Sequence, residues 1–195
     1  MRNAIMVGDR VYLRPLETSD ADVMTAGLTH DPETFFERGR FPVSPIAFEH
    51  TLEESQKADI PNEAAFAVCL RATDEMIGSV NIDHLDLINR TGETGSYLFA
   101  AYRNQGYGPE AKHLLLEYCF DRLHLHAICS HVWEVNGRSA AALAKQGYRF
   151  AGRWKWDDYK DGVYRDTLVF DLLRDDWLAA REEWRRTLLG SAVPS

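Results

Sequence analysis

The sequence has few cysteines, few basic residues for its acids and no long hydrophobic run. Its three cysteines, Cys69, Cys119 and Cys129, are an odd number, widely spaced and set in apolar stretches. That usage excludes a disulfide framework and a paired-cysteine zinc site, and predicts buried free thiols in a reducing cytoplasm. No apolar stretch approaches the roughly 20 residues needed to span a bilayer. The opening MRNAIMVGDRVYLRP lacks the apolar core of a signal peptide. Against 30 acidic residues stand only 22 Lys and Arg, a formal charge of −8. Nucleic-acid affinity needs clustered cations that release counterions, so DNA and RNA are excluded as generic partners, while cationic substrates such as amines are favoured. Neither a repeat, a low-complexity tract nor a linker divides the 195 residues, so a single domain over residues 1–195 is expected.

Hydrophobic periodicity gives the elements. Val11 and Leu13 alternate with polar neighbours up to Pro15, an edge-type first strand over residues 10–16. Ser19 and Asp20 can cap a helix reaching Leu28. Residues 30–45 hold three prolines and read as loop, followed by a helix to Lys57. Strands follow over residues 65–71, 75–85 and 95–100. A helix over residues 108–122 then has Pro109 at its favoured first position. Residues 126–135 are apolar on both alternating faces, as a strand covered on both sides should be. Asn136 caps a helix ended by Gly147. Residues 148–159 and 163–172 form a hairpin across Asp161-Gly162. In the tail, Leu173, Trp177, Ala180, Trp184 and Leu188 share one face of a C-terminal helix over about residues 174–189. The expected fold class is mixed α/β (α+β): a mostly antiparallel mixed sheet flanked by helices, closed by a hairpin and a helix.

One segment points to chemistry. In Ser96-Tyr97-Leu98-Phe99-Ala100-Ala101-Tyr102-Arg103-Asn104-Gln105-Gly106-Tyr107-Gly108, a strand runs into a loop with two glycines and opens a helix. A helix N-terminus offers unpaired N–H groups to an anion, and glycine lets backbone approach a phosphate. Arg103 adds a cation at the entrance. The spacing fits neither a Rossmann fingerprint nor a Walker loop.

Arg103-Asn-Gln-Gly106-Tyr-Gly108 resembles the R/Q-x-x-G-x-G/A pyrophosphate loop of the GNAT acyl-CoA N-acyltransferases. Glu93-Thr-Gly95-Ser-Tyr97-Leu resembles the E-x-G-x-x-L strand before that loop. Trp133-Glu-Val-Asn136-Gly-Arg-Ser139 and Lys145-Gln-Gly147-Tyr148 resemble the N-x-x-S…K-x-G-F/Y segment after it. The opening Val11-Tyr-Leu13-Arg14-Pro15-Leu16, with Phe150-Ala-Gly152, Asp161-Gly162-Val-Tyr164-Arg-Asp166 and Leu172-Leu-Arg174-Asp-Asp-Trp177, is similar to the RimJ/RimL branch, the protein N-terminal alanine acetyltransferases. The resemblance covers about residues 8–178 and implies the GNAT fold.

It also implies acetyl-CoA as co-substrate, no metal, and direct acetyl transfer to a primary amine, either a protein N-terminus or a small cationic amine. Homodimers are common in the branch. The cofactor-binding set carried over is the main chain of Phe99 and Ala100 for the pantetheine arm, Arg103, Asn104, Gln105, Gly106, Tyr107 and Gly108 for the pyrophosphate, and Asn136 for the arm. Backbone N–H groups near Leu98 and Phe99 would hold the oxyanion. Pro109 removes one N–H from the cradle. The tyrosine that many relatives place seven residues after the asparagine is here Leu143, and Ser139 is the hydroxyl left to reprotonate the thiolate; a small packing residue is the other reading of Ser139, and water the other acid.

Three side chains compete as base. Glu93, on the strand beside the acyl site, is the first choice. His84 shares a face with Val80 and Ile82, and Asp166 with Tyr164, Leu168, Phe170 and Leu172, where burial would raise its pKa. Glu134 reads as a structural acid at a strand end. The acids Asp31, Glu33 and Glu37 fall where relatives build the acceptor pocket. The aromatic stretch from Trp154 to Tyr159 reads as a pocket wall or hairpin packing. His124 and His126 sit on the opposite side of their strand from His131, and with no cysteine pair beside them they do not suggest a metal. A non-catalytic acyl-CoA-binding module is the alternative to an enzyme, supported by Leu143 and Pro109.

Overall fold

The computed structural model describes residues 1–31, 43–57, 61–160 and 162–191. Its strands are β1 (Met6–Val7), β2 (Val11–Pro15), β3 (Ala64–Leu70), β4 (Met76–Asp86), β5 (Thr91–Leu98), β6 (Ala127–Trp133), β7 (Arg149–Lys160) and β8 (Val163–Leu173). The helices are α1 (Ala21–Thr29), α2 (Pro45–Gln56), α3 (Tyr107–Glu117), α4 (Gly137–Lys145) and α5 (Arg174–Ser191). One eight-stranded sheet has the order β1-β2-β3-β4-β5-β6-β8-β7. Every neighbouring pair is antiparallel except β5 and β6. This is the expected mixed sheet flanked by helices.

Alternation along the strands fills both sides. Val11, Leu13, Phe66, Val68, Val80 and Ile82 pack with Leu114 and Leu115 of α3. Tyr12, Ala67, Cys69 and Tyr97 pack with Met24 of α1 and Leu52 of α2. Interior strands must therefore be apolar at odd and even positions alike, and β2 is buried over four successive residues. The edge expected for β2 belongs instead to β1, whose two residues are too short to announce themselves by periodicity.

Three further boundaries differ from expectation. β5 begins at Thr91, before the apolar residues start, because Gly92 packs closely under Ile82 of β4. α3 starts at Tyr107 with Gly106 as its cap in the left-handed region at φ 83°, so Pro109 is its third residue. Proline is accepted there because the first-turn N–H groups have no intrahelical acceptor anyway. α3 then widens into a π-helical turn over Tyr118–Arg122, which keeps Cys119 and Phe120 in the core. Phe120 stacks on the fully buried Trp177 of α5 at 5.0 Å, and Trp184 stacks on His113 at 3.9 Å, so the C-terminal helix packs by the face that its spacing predicts. The side chain of Leu188 lies outside the described residues.

Candidate active site

β5 and β6 pair only at residues 91–93 with 127–129, and then part. β5 continues beside β4, and β6 beside β8. The parting leaves a notch in the middle of the sheet. Its apex is closed by three hydroxyls: Ser130 Oγ donates to the Thr94 carbonyl at 2.6 Å, and Thr94 Oγ1 lies 2.7 Å from the buried Tyr148 hydroxyl. Ser130 thereby satisfies the Thr94 carbonyl, which the ladder abandons. Tyr148 holds its proton well above the usual phenol range because it is buried. Behind the apex, α3 carries the buried Lys112, whose ammonium lies 5.7 Å from the Tyr148 ring and which burial pulls down to about 7.

The pairing register decides which backbone groups face the notch. Phe99 N–H donates to the Ile77 carbonyl at 3.0 Å, so Phe99 is bonded to β4, and its carbonyl accepts from Tyr102. In an antiparallel ladder the intervening residues turn their N–H groups the other way. Leu98 and Ser96 therefore direct theirs into the notch, and Thr94 its carbonyl. The Phe99 N–H is thus committed to β4, and the Leu98 N–H is turned away from it. Ala100 follows in a single 3-10 turn over Ala100–Tyr102.

From there the chain turns through Asn104 (φ 59°) and Gly106 into α3, whose start lies against the end of β5; a Cβ on Gly108 would come 3.4 Å from Leu98 Cδ1. The first-turn N–H groups of α3 open at this end of the notch. Gln105 donates its side-chain amide to the Ala101 carbonyl at 2.7 Å, which pins the loop.

Arg103 does not present its charge there. Its Nε donates to the Leu98 carbonyl at 2.9 Å, and both terminal nitrogens engage the buried Asp31 carboxylate. Tyr97 also donates to Asp31, at 3.0 Å. Arg103 and Asp31 thus clamp the loop to the end of α1, which removes Asp31 from any acceptor pocket. Glu33 and Glu37 lie outside the described residues. The cation beside the loop is Arg10, unsuspected from the sequence. Its guanidinium donates to the Gln105 carbonyl at 2.9 Å and sits 4.8 Å from the Tyr107 ring, anchored by Glu110 at 3.2 Å. It precedes β2 by one residue, and only the β2–α3 packing brings it here.

On the side of the sheet away from α3, Glu93 and Cys129 are register partners, and His131 follows two residues on. His131 Nδ1 is 2.8 Å from Glu93 Oε1, and its ring lies 4.5 Å from that of Trp154. A cleft of about 300 Å³ is lined by His84, Glu93, Cys129 and Asp171 together with Thr91 and Gly92. Burial, then the nearby Glu63 and Glu93 carboxylates, push the Asp83 carboxyl above its ordinary range. Burial likewise raises the Cys129 thiol. His84 is exposed at a bulge (φ 50°) that breaks the β4–β5 register, so it does not share the face of Val80 and Ile82.

Asp166 is a structural group, contrary to the expected raised acid. It accepts from Trp156 N–H at 2.9 Å and pairs with Arg153 at 2.9 Å, and these hold it below the usual carboxylate range. Glu134 is 3.7 Å from the same Arg153. On the other arm of the notch, Asn136 Oδ1 accepts from Ser139 N–H at 3.2 Å, the expected cap of α4. Ser139 is half-buried in the first turn, and Leu143 faces the core.

A sheet parted at one parallel pair, with a helix N-terminus at the open end, is the arrangement of the GNAT fold, and the comparisons agree. The model of the acetyltransferase (GNAT) domain matches residues 10–149, and the chain belongs to this family. It is 28% identical over 183 residues to the "Probable N-acetyltransferase YjcK" of Bacillus subtilis, covering 88% of this chain and 98% of that protein. Among solved structures, it is similar to a chimera of the spermidine N-acetyltransferase SpeG from Vibrio cholerae and hSSAT (TM-score 0.80, 21% identity, 87% of this chain and 99% of that one). The spermidine N-acetyltransferase from Vibrio cholerae in complex with CoA and spermine is a second neighbour (TM-score 0.76, 20% identity, 88% and 99% covered). No helix among the described residues is long and apolar enough to cross a membrane.

Proposed function

We propose that this enzyme transfers the acetyl group of acetyl-CoA to a primary amine on a small cationic acceptor. The observation that carries the reading is the parting of β5 from β6 after residues 93 and 129, with the start of α3 against the far end of β5 and a cleft holding Glu93, Asp171 and His84 at the paired end. Asn104, Gln105, Gly106, Tyr107 and Gly108 form the pyrophosphate cradle, with Arg10 as its cation. Leu98, Ala100 and Asn136 line the path of the pantetheine arm. The carboxylates of the cleft favour a cation over a neutral amine by simple attraction, and the spermidine acetyltransferase neighbours support this acceptor class. The family resemblance and the cysteine usage carry with them a single domain, a cytoplasmic location and a homodimer.

The attacking amine must be neutral, yet free amines keep their protons to a pKa of roughly 8 to 10.4. Glu93, hydrogen-bonded to His131, takes that proton directly or through a water. The Leu98 N–H, directed into the notch, stabilises the oxyanion that develops on the thioester carbonyl. Ser139, at the start of α4, returns a proton to the departing thiolate; a water in the same place is the alternative. The RimJ/RimL-like motifs support a second acceptor, a protein N-terminal amine, whose α-amino group is easier to deprotonate.

A thiol-release assay with acetyl-CoA tests the reading against a panel of polyamines, aminoglycosides and short peptides. Turnover is expected with a polycationic amine. Preference for a peptide N-terminus would move the acceptor to the second reading. Acetyl-CoA binding without release on any amine would replace the enzyme with a non-catalytic acyl-CoA-binding module.

A further inference from the structure

A second constellation lies on the cleft side of the notch, formed by side chains of three chemical types. Glu93 offers a carboxylate oxygen, Cys129 a thiol sulfur and His131 a ring nitrogen, and these three atoms all lie within 4.8 Å of one another. Their backbones are fixed by the parallel pairing of Glu93 with Cys129, and His131 stands on the same face of β6 two residues later. The His131 ring is steadied by the Glu93 bond at 2.8 Å and by Trp154 at 4.5 Å. His124 and His126, exposed before β6 begins, are not part of this set. What completes the set is a cysteine two residues upstream and a carboxylate from the neighbouring strand.

We propose that Glu93, Cys129 and His131 form an inhibitory site for a borderline-soft divalent cation of the zinc class. Nitrogen, sulfur and carboxylate oxygen are the donors that zinc selects, at bond lengths of about 2.0–2.3 Å, which place tetrahedral donors roughly 3.3–3.8 Å apart. The three donor atoms, within 4.8 Å of one another, would have to draw together by up to about 1 Å to bind the ion. Three protein donors leave the fourth position to a water facing the cleft, which is the open form of zinc site. Magnesium and calcium, which seek six or more oxygens, are not suited to it. Binding releases the Cys129 thiol proton to solvent and ties up the Glu93 carboxylate that would take the proton of the amine; the ion with one carboxylate and one thiolate is neutral overall, so the site loses its attraction for a cationic amine. The cradle at α3 lies at the far end of the notch and keeps its access to acetyl-CoA.

The test needs no turnover. Untagged full-length protein is titrated with Zn2+ against a chromophoric chelator, and separately with Co2+ while absorption from thiolate-to-metal charge transfer is followed. One equivalent of Zn2+ is expected, with Kd of about 1 µM or tighter. Cys129→Ser and His131→Gln should each weaken it by about tenfold or more, and the cobalt charge-transfer band should vanish in Cys129→Ser. The other two thiols, Cys69 and Cys119, are buried in the core on either side of the sheet, so they do not mimic the signal. No saturable Zn2+ binding, or equal binding and an unchanged cobalt band in Cys129→Ser, would overturn the proposal. Those results concern the metal alone, so they are independent of whether the amine panel identifies an acceptor.

Discussion

Lys112 is a buried cation without an ion pair among the described residues, and that makes its protonation a stability term. It is 4% exposed, and burial lowers its pKa from the ordinary 10.5 to about 7. In the unfolded chain the ammonium keeps its proton up to about pH 10, while in the folded chain the amine is largely neutral above pH 7. The unfolded state therefore binds more protons between those limits, so stability rises with pH through this window and the penalty is fully present below it. For a shift of this size, the wild-type gain from pH 7 to pH 9 is on the order of 2 kcal/mol. Lys112→Met keeps the side-chain volume and removes the titration. The variant should be the more stable at pH 7, and its advantage should shrink by about 2 kcal/mol by pH 9. Urea unfolding of both proteins at a series of pH values, with m-values compared to confirm equal exposure of surface, measures the difference. Parallel stability curves for the two proteins would show that Lys112 titrates as it does in water, and would refute the burial argument.

Three other outcomes are expected. Gly106→Val forces a β-branched residue into the left-handed region and sets its Cβ 2.8 Å from the Arg10 guanidinium; acetyl-CoA affinity should fall at least about tenfold, a loss of about 1.4 kcal/mol, and unchanged calorimetric affinity would sink the cradle. Ser139→Ala should lower kcat on the order of 10²-fold with KM for acetyl-CoA unchanged, if Ser139 is the acid; retention of more than about half of kcat leaves the task to water. The KM of a polycationic acceptor should rise with salt, because exposed charges are screened beyond about 8 Å at physiological ionic strength, and a salt-independent KM would point to recognition by shape.

Periodicity and capping determine most of the architecture. Leu114 and Leu115 on α3, Trp177 on α5, the Asn136 cap and the turn at Gly162 between β7 and β8 are local or nearly local features. Their spacing reports the structure directly. The glycine loop before α3 is legible for the same reason, since a left-handed cap and a helix N-terminus are properties of a few consecutive residues. Pairwise partners are not legible in this way. Whether Arg103 faces a phosphate or Asp31, whether Asp166 is a base or a clamp for Arg153, and which residue supplies the cation at Gly106 all depend on which strands lie side by side. Arg10 and Gln105 are separated by two helices and four strands, and Glu93 meets His131 only because β5 and β6 run parallel for three residues before they part. A charge takes its role from its nearest opposite charge. Packing chooses that neighbour, and linear spacing does not encode it.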